Sequence, residues 1–443
     1  MHNTPFKCLQ VARMRAALLL LLAASVEGLV AGRRLLRRVA PALAEVVPAS
    51  TRRRPLHDLA DVAREGLLDV GDGHRVYYQV RGGNASLPLA LFLHGGPGAG
   101  CAPNHARFFD PAKWRVCLLD QRGCGRSEYP GASPLEDNET PRLVADLEAL
   151  RAELLGAEPW ACVLGGSWGS TLALAYACSH AGALRSLVLR GVCLMRAREI
   201  DWLFGPRGGA ATLAPRGFDE FRRHVLPDAD AATLGDRDVL DAYYAAFTGD
   251  DARRDAAARA WMAWEAKASS ASRRAGVATF REGNWSFAWA PHILEAAEAK
   301  KNATGGGDFY ANATTSAAAD PANATAGAVV PALSGAAVRA ALPRKKKRVP
   351  AQPMLTCHYS VHDGFLGESA VLGAAAGLGD LPAIAVQGTA DTICPPATAY
   401  DLHAAWPELE LRLVSGAGHS HYDPDIQHEL LEATDKTHAT LFS

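Results

Sequence analysis

Short apolar runs alternate with longer helical stretches along most of the chain from about Glu65. Strands buried on both faces of a parallel sheet have near-continuous apolar sequences, and most of these runs have that character. The predicted strands are Val76–Arg81, Leu89–Leu93, Arg115–Leu119, Ala161–Leu164, Leu184–Leu189, Ala383–Val386 and Leu409–Val414. Helical stretches such as Thr140–Leu155 and Ser170–Ala181 separate several of them. This alternation predicts an α/β fold with a mostly parallel central sheet.

The alternation stops after Val192, and a different pattern fills the middle of the chain. Residues 195–366 contain Ala-rich helical segments with several tryptophans, which predicts a helical cap inserted between two strands of the sheet. Within this cap, Ala, Thr, Gly and Asn dominate residues 295–350, a composition typical of a low-complexity surface excursion. The sheet domain is therefore expected in two parts, residues 61–194 and 367–443.

The first 60 residues have the character of a targeting segment. Basic residues precede an apolar run at 16–25 and small residues follow it, which is the layout of a secretory signal and is short for a membrane span. An Arg-rich, acid-poor stretch at 33–54 would also suit an organelle transit sequence. Residues 1–60 are therefore predicted to lie outside the fold and to direct the chain to the secretory pathway or an organelle. No stable membrane insertion of the mature protein is expected.

Asparagine usage also favours the secretory pathway. Six of the eight asparagines open an Asn-x-Ser/Thr sequence, the acceptor for N-linked glycans. These are Asn84, Asn138, Asn284, Asn302, Asn312 and Asn323.

Charge and cysteine usage exclude several classes of partner. The 443 residues carry a net charge of -1, which gives no electrostatic reason to expect a nucleic acid partner. The nine cysteines have neither a CxxC pair nor regular spacing, so they predict neither a zinc site nor a disulfide framework.

The run Gly165–Gly169, Gly-Gly-Ser-Trp-Gly, lies between the apolar strand at 161–164 and a helical stretch. This is the strand–turn–helix context of a nucleophile elbow. Its tight turn tolerates little but glycine at the flanks and presents the serine hydroxyl above the sheet. Ser167 is therefore the predicted nucleophile. A serine that only caps the helix N-terminus is the alternative.

A serine hydroxyl needs a base, and in this strand–turn–helix architecture the acid and the histidine follow the serine in the chain. Asp391 follows the strand at 383–386, and His419 follows the strand at 409–414 in a Gly-rich turn. Since the carboxyl ends of parallel strands meet at one edge of the sheet, we expect Ser167, Asp391 and His419 to form a catalytic triad. His421 is the nearest competitor for the base.

A third element is the sequence His94–Gly98, directly after the strand at 89–93. Glycine-rich backbone can turn its N–H groups toward a developing oxyanion, and the residue after the nucleophile commonly supplies the second donor. Gly96 and Trp168 are the predicted donors. His94 is expected to be structural, because a second base beside the first has no task.

These motifs, with Asp120–Ser127 (DQRGCGRS), resemble those of the proline iminopeptidases, α/β-hydrolase-fold peptidases that remove N-terminal proline from peptides. The resemblance runs from about Glu65 to the C-terminus, apart from about 268–353. It implies small peptide substrates with an N-terminal proline, no metal or cofactor, and the cytoplasm as the alternative location. In that family the cap supplies acidic residues that hold the substrate's amino group. The run Trp261–Glu265 resembles one of these motifs, so Glu265 is the candidate.

The chain departs from the family pattern at a second amino-binding position. The acid expected before a His-Tyr-Phe stretch corresponds to Thr356, which precedes Cys357-His358-Tyr359. Unless Glu282 or another acid substitutes, the grip on the amino group is weaker. An esterase or a broader amide hydrolase on the same Ser-His-Asp machinery is therefore the alternative function.

Overall fold

The computed structural model describes residues 45–47, 53–131, 133–271, 277–281, 284–288 and 351–443. Within these ranges a nine-stranded sheet has the order β1-β11-β10-β7-β6-β4-β5-β3-β2, and a hairpin pairs β8 with β9. The strands are β1 Glu45–Val47, β2 Val62–Asp69, β3 Arg75–Arg81, β4 Leu89–Leu93, β5 Arg115–Asp120, β6 Cys162–Gly166, β7 Leu187–Arg190, β8 Val277–Arg281, β9 Asn284–Ala288, β10 Ala383–Gly388 and β11 Glu410–Val414.

Across the sheet from β1 to β5, each strand is parallel to the next. Strand β3 is antiparallel to both of its neighbours, β5 and β2, and is the one described strand of this sheet that runs in the opposite direction. Every residue of β4, β6, β7 and β10 is buried, as the continuous apolar runs predict. Because these strands are parallel, the loops after their carboxyl ends meet at one edge of the sheet.

Helices cover both faces of the sheet and build the cap. In chain order they are α1 Thr140–Leu155, α2 Trp168–Ser179, α3 Ala197–Phe204, α4 Gly209–Leu213, α5 Pro215–Val225, α6 Asp238–Phe247, α7 Asp251–Ala271, α8 Gln352–Val361, α9 Ala370–Ala375, α10 Pro396–Ala405 and α11 Pro424–Phe442. One core cluster joins α1 and α2 to the sheet through residues such as Leu147 and Leu172. A second cluster, with Ile426 and Leu430, joins α11 to the opposite face.

Helices α3 to α8 lie between β7 and β10 and pack around aromatic rings. The ring of Phe221 stacks on Tyr243 at 4.3 Å, and Phe204 lies 4.6 Å from Trp261. Trp264 stacks on Phe221 at 5.6 Å. Each such pair adds about 0.5–1.5 kcal/mol beyond the burial of its surface, so the tryptophans noted in the sequence stabilise the cap.

The predicted α/β class with a mostly parallel sheet and inserted helices is confirmed. The sequence pattern does not predict β2, because none of its residues is buried and its polar positions do not alternate. Part of the expected targeting segment also contacts the sheet domain. Strand β1 pairs with β11, and Arg54 forms salt bridges with Glu432 and Asp435 on α11. The first contacts with the sheet domain therefore precede the boundary expected at residue 60.

The predicted glycosylation acceptors differ in their surroundings. Asn138 is only 2% exposed, donates hydrogen bonds to the carbonyls of Arg122 and Pro134, and accepts one from Tyr359. This asparagine is therefore a structural residue in the folded protein, whereas Asn84 is exposed. The sites at 302, 312 and 323 and the excursion at 295–350 lie outside the described residues.

No helix in the described ranges is both long and apolar enough to cross a membrane. The signal-like run at 16–25 lies outside those ranges.

Candidate active site

Ser167 lies at the tight turn between β6 and α2. Its φ of 57° and ψ of -128° are sterically unusual for a residue with a side chain. The turn needs glycine on both sides, since an added Cβ at Gly165 would lie 2.1 Å from the carbonyl oxygen of Gly169, and one at Gly169 would lie 2.2 Å from that of Leu93. The side chain of Ser167 does not cap α2. This is the backbone of a nucleophile elbow.

Asp391 and His419 meet where the loops after β10 and β11 are joined. The backbone N–H of Ala390 donates to the carbonyl of Ala417 at 2.9 Å, which ties the two loops together. Nδ1 of His419 lies 2.7 Å from Oδ2 of Asp391. The other oxygen of Asp391 accepts from the backbone N–H groups of Ile393 and Cys394, both at 2.9 Å. The carboxylate is 1% exposed and is held rigidly against the imidazole.

Arg190, the last residue of β7, contacts the same imidazole. Its Nη1 lies 3.1 Å from Nε2 of His419 and 2.9 Å from the carbonyl oxygen of that residue. A guanidinium only donates hydrogen bonds, so Nε2 is the acceptor and the ring proton of a neutral His419 lies on Nδ1, facing Asp391. This is the tautomer that a general base requires. Gly191 makes room for the ring, because a Cβ there would lie 3.0 Å from Cε1 of His419.

The hydroxyl of Ser167 does not bond to His419 in the described structure. Its nearest hydrogen-bonding neighbour among the described side chains is Sγ of Cys394, at 4.0 Å. Of the predicted triad, the structure therefore joins Asp391 and His419 by a hydrogen bond, whereas Ser167 makes no hydrogen bond to either of them. Catalytic hydrogen bonds are often long or unformed without substrate.

The loop after β4 carries the predicted oxyanion donor Gly96. Its φ is 115°, and an added Cβ would lie 2.6 Å from the nitrogen of Gly98, so only glycine fits. His94 fixes this loop by accepting from the backbone N–H of Gln121 at 3.1 Å and donating to the carbonyl of Gly95 at 2.8 Å. The predicted structural role of His94 therefore agrees with its contacts.

Gln121 connects the two predicted donor residues. Its side chain donates to the carbonyl of His94 at 3.0 Å and accepts from the indole N–H of Trp168 at 2.9 Å. Gly96 and Trp168 both line the cavity that contains Ser167.

The cavity above Ser167 lies between the sheet edge and the cap and is mostly apolar. Its apolar lining includes Val192, Met195, Ile200, Leu203, Phe204 and Ile393. Glu199 is the one carboxylate among the described lining residues. Its oxygens accept from the backbone of Leu194, the guanidinium of Arg196 and the hydroxyl of Thr398. Glu199 is therefore committed to holding the start of α3.

Glu265, on α7, is not among the described residues that line this cavity. Its carboxylate accepts from the indole of Trp261 at 2.9 Å and from the amide of Gln352 at 3.2 Å. Gln352 is the first residue of α8. This helix packs closely on the loop after β4, since an added Cβ at Gly98 would lie 3.1 Å from the Cα of Gln352. Burial raises the pKa of Glu265 to about 7, only partly offset by these hydrogen bonds.

Thr356 lies one helical turn after Gln352 and lines the cavity. Its hydroxyl donates to the carbonyl of Pro97 at 3.3 Å. The position expected to hold a second acid therefore faces the site but carries only a neutral hydroxyl. The other candidate acid, Glu282, lies outside the described residues.

His421, the competing base, packs among aromatic rings, 5.6 Å from Phe108 and 4.1 Å from Tyr422. Burial holds its pKa well below the ordinary value. Sequence reasoning missed Arg190 and Gln121, and also the thiols Cys193 and Cys394 that line the cavity. The available signal for Arg190 was a single charge closing an apolar strand.

The chain is similar in sequence to one known family and to several named enzymes. The model of the α/β-hydrolase fold family matches residues 88–425. The proline iminopeptidase of Arabidopsis thaliana is 35% identical over 392 residues, covering 88% of this chain and 83% of that protein. The enzyme of Xanthomonas citri is 35% identical over 84% of this chain and 96% of its own length. For the proline iminopeptidase of Neisseria gonorrhoeae the values are 32%, 86% and 98%. With this degree of identity along nearly the full length of its relatives, the chain belongs to the proline iminopeptidase family of α/β-fold hydrolases.

Proposed function

We propose that this protein is a serine aminopeptidase that releases N-terminal proline from peptides. The observation that carries the proposal is the Asp391–His419 hydrogen bond of 2.7 Å at the same sheet edge as the strained turn of Ser167. Membership of the proline iminopeptidase family supports the substrate class. The apolar cavity beside Ser167 suits a proline ring, which has no polar side-chain atoms to satisfy.

In the first step, the hydroxyl of Ser167 attacks the carbonyl carbon of the prolyl residue while its proton passes to Nε2 of His419. Asp391 holds the imidazole in the correct tautomer and stabilises the imidazolium that forms. Collapse of the tetrahedral intermediate expels the peptide amine, which takes the proton back from His419. Water, deprotonated by His419, then hydrolyses the acyl-enzyme and frees proline.

The backbone N–H groups of Gly96 and Trp168 stabilise the oxyanion of both intermediates. Loss of one such donor typically costs about 10²–10³ in turnover. Gln121 joins the indole of Trp168 to the loop that carries Gly96 by hydrogen bonds, so the two backbone donors keep their relative positions. The glycine requirement at position 96 keeps the first donor unobstructed.

Arg190 acts as a positioning residue for His419. Its bond to the carbonyl oxygen of His419 anchors the loop, and its bond to Nε2 occupies the acceptor until the substrate brings the Ser167 hydroxyl into place. Only the second bond must be given up for catalysis. The imidazole therefore keeps its orientation while its partner changes.

Glu265 binds the charged imino group of the substrate. A carboxylate that has lost much of its water gains more from a cation than an exposed one does, since charge-assisted hydrogen bonds strengthen in a drier site. The raised pKa of Glu265, about 7, reflects this loss of water. A bound secondary ammonium favours the ionised form of the carboxyl and so lowers that pKa again.

Thr356 favours a second candidate function, an esterase or broader amide hydrolase, because a hydroxyl replaces a charge that would hold the amino group. A panel of substrates on the purified chain separates the two. It compares prolyl, alanyl and N-blocked prolyl arylamides with a simple aryl ester by kcat/KM.

For the aminopeptidase we expect the free prolyl arylamide to exceed both the alanyl and the N-blocked arylamides. Equal or faster hydrolysis of the N-blocked arylamide, or ester hydrolysis with no arylamide hydrolysis, would instead support the second function. The pair of free and blocked prolyl substrates is the matched control, since only the charge on the nitrogen and its blocking group differ.

A further inference from the structure

Asn84 opens one of the six Asn-x-Ser/Thr sequences and lies in the loop that joins β3 to β4. Residues 83–86 are all exposed, so the acceptor sequence stands at the surface over its whole length. The loop is anchored where it ends, because Arg115 on β5 donates to the carbonyls of Leu87 and Pro88, both at 2.9 Å. The acceptor sequence is therefore presented on a loop that is exposed but fixed at its base.

The side chain of Asn84 uses its oxygen but not its nitrogen in hydrogen bonds. Its Oδ1 accepts from the backbone N–H of Ser86 at 3.1 Å and from the Ser86 hydroxyl at 2.7 Å, which is an Asx turn. Among the described residues, none accepts a hydrogen bond from the amide nitrogen of Asn84. This nitrogen is the atom that carries an N-linked glycan. A sugar can therefore replace one of its hydrogens without breaking a described hydrogen bond.

Asn138, the other acceptor whose side chain the structure describes, has the opposite arrangement. It is 2% exposed, and its amide nitrogen donates to the carbonyls of Arg122 at 3.0 Å and Pro134 at 2.8 Å. Both hydrogens of the amide are therefore in use. The hydroxyl of Thr140, the third residue of this acceptor sequence, donates to the carbonyl of Gly364. A glycan on Asn138 would remove a buried hydrogen bond and would have no path to solvent.

The loop of Asn84 lies at the end of the sheet that is remote from the predicted triad. It precedes β4, so it lies at the amino end of that strand. Ser167, Asp391 and His419 follow the carboxyl ends of β6, β10 and β11, which run in the same direction as β4. A glycan on Asn84 would therefore leave the cavity that contains Ser167 open.

We propose that Asn84 is an N-glycosylation site, to which an oligosaccharyltransferase of the secretory pathway attaches a glycan. Six of the eight asparagines open an acceptor sequence, and basic residues precede an apolar run at 16–25, which supports passage through that pathway. In the reaction, the amide nitrogen of Asn84 attacks the anomeric carbon of a lipid-linked oligosaccharide. A carbon–nitrogen bond forms, and the lipid diphosphate leaves with the electron pair of the broken carbon–oxygen bond. The nitrogen gives up one proton to a base of the transferase.

The proposal has a consequence for Asn138, whose acceptor sequence can be reached only before the chain folds. A glycan attached there would prevent the amide from donating both of its buried hydrogen bonds, so such chains should not reach the folded state. The folded protein should therefore carry a glycan on Asn84 and none on Asn138.

The test expresses the full-length chain in insect cells, which glycosylate proteins of the secretory pathway, and purifies the folded protein. A peptide N-glycosidase in heavy-oxygen water then converts each glycosylated asparagine to labelled aspartate, which peptide mass spectrometry locates. We expect label at Asn84 and none at Asn138. Asn104 is the matched control, since it is also exposed but is followed by His105 and Ala106, which do not complete an acceptor sequence.

Substitutions of Ser86 test the acceptor sequence itself. Ser86→Ala leaves Asn84 in place but should abolish its label, whereas Ser86→Thr should retain the label. An unlabelled Asn84 would overturn the proposal, whether or not the other acceptor sequences are labelled, and so would label at Asn138 in the folded protein. The peptide map requires no activity. Failure of this proposal and failure of the proposed aminopeptidase function are therefore distinguishable.

Discussion

The sheet edge and the cap build the active site by different physical means. At the edge, backbone meets backbone so closely that an added Cβ at Gly165 or Gly388 would lie 2.1 Å or 2.4 Å from a carbonyl oxygen. In the cap, Glu265 is held by two side-chain hydrogen bonds, and Thr356 by one of 3.3 Å. The proposed reacting groups are thus fixed by the fold itself. Under the proposed function, substrate selection depends on side chains that can change without disturbing the sheet.

The largest expected effect lies at the edge. Ser167→Ala removes the nucleophile but leaves the turn, so hydrolysis of every substrate should fall by roughly 10⁴-fold or more. Thermal unfolding should show an unchanged or slightly higher midpoint, because alanine adds no atoms to the turn. Substantial residual turnover in a variant with that stability would mean that the edge does not carry the chemistry.

Substitution of Arg190 tests whether the positioning of His419 at the sheet edge is separate from substrate binding. Arg190→Ala should lower kcat by roughly tenfold to hundredfold because the imidazole loses its anchor, with a much smaller change in KM. Added guanidinium ion should restore part of the rate in this variant, whereas ammonium should restore less. Since the residue is buried, unfolding midpoints of Arg190→Ala and Arg190→Lys must accompany the kinetics. A rise in KM at unchanged kcat would assign Arg190 to substrate binding instead.

Substitution of Glu265 tests whether the cap binds the charged group of the substrate. Glu265→Gln should raise KM for the prolyl arylamide by roughly tenfold to hundredfold, the equivalent of one hydrogen bond to a charged group, and should leave ester hydrolysis nearly unchanged. The pH dependence has a defined sign. The pKa of Glu265 is raised to about 7, so its charge is lost as the pH falls through that value and KM for the prolyl substrate should rise.

The N-blocked substrate and the Gln variant are the controls for that pH profile. Neither should show the acid-side rise in KM, because one lacks the cation and the other lacks the titrating group. The same rise in all three reactions would assign the pH dependence to another group.

The smallest expected effect is at Thr356. Its bond to Pro97 is long, and Thr356→Val keeps the shape of the side chain. We expect about 0.5–1.5 kcal/mol less free energy of unfolding and only a small change in kcat/KM. Denaturant titration and the substrate panel check both. A large loss of activity toward the free prolyl substrate alone would show that the hydroxyl takes the place of the missing acid.

Most of the sheet could be predicted because its strands are buried on both faces. The boundaries of β4 and α1 coincide with the predicted ones, and the other buried strands differ from prediction by a few residues. Strand β2 escaped because an exposed edge strand has no apolar pattern to follow. Strand β1 escaped because the composition around it is that of a targeting segment.

The site was predictable to the extent that its geometry depends on glycine. At Gly165, Gly169 and Gly96 the turns have no room for a residue other than glycine, so the glycine motifs indicate the backbone conformation directly. The contact of Arg190 with His419 could not be foreseen, because it depends on the path of a long side chain across Gly166. The presence of Cys193 and Cys394 in the lining of one cavity likewise depends on strand order, which no local pattern encodes.

Strand β1 has a consequence for any cleavage of the N-terminal segment. It pairs with the outer edge of β11. Further along the chain, Arg53 and Arg54 form salt bridges with acidic residues of α11. A protease cut upstream of residue 45 would keep this cover. A cut after Arg54 would strip it away and leave a row of unsatisfied amides and carbonyls open to the strands of other molecules, which invites aggregation.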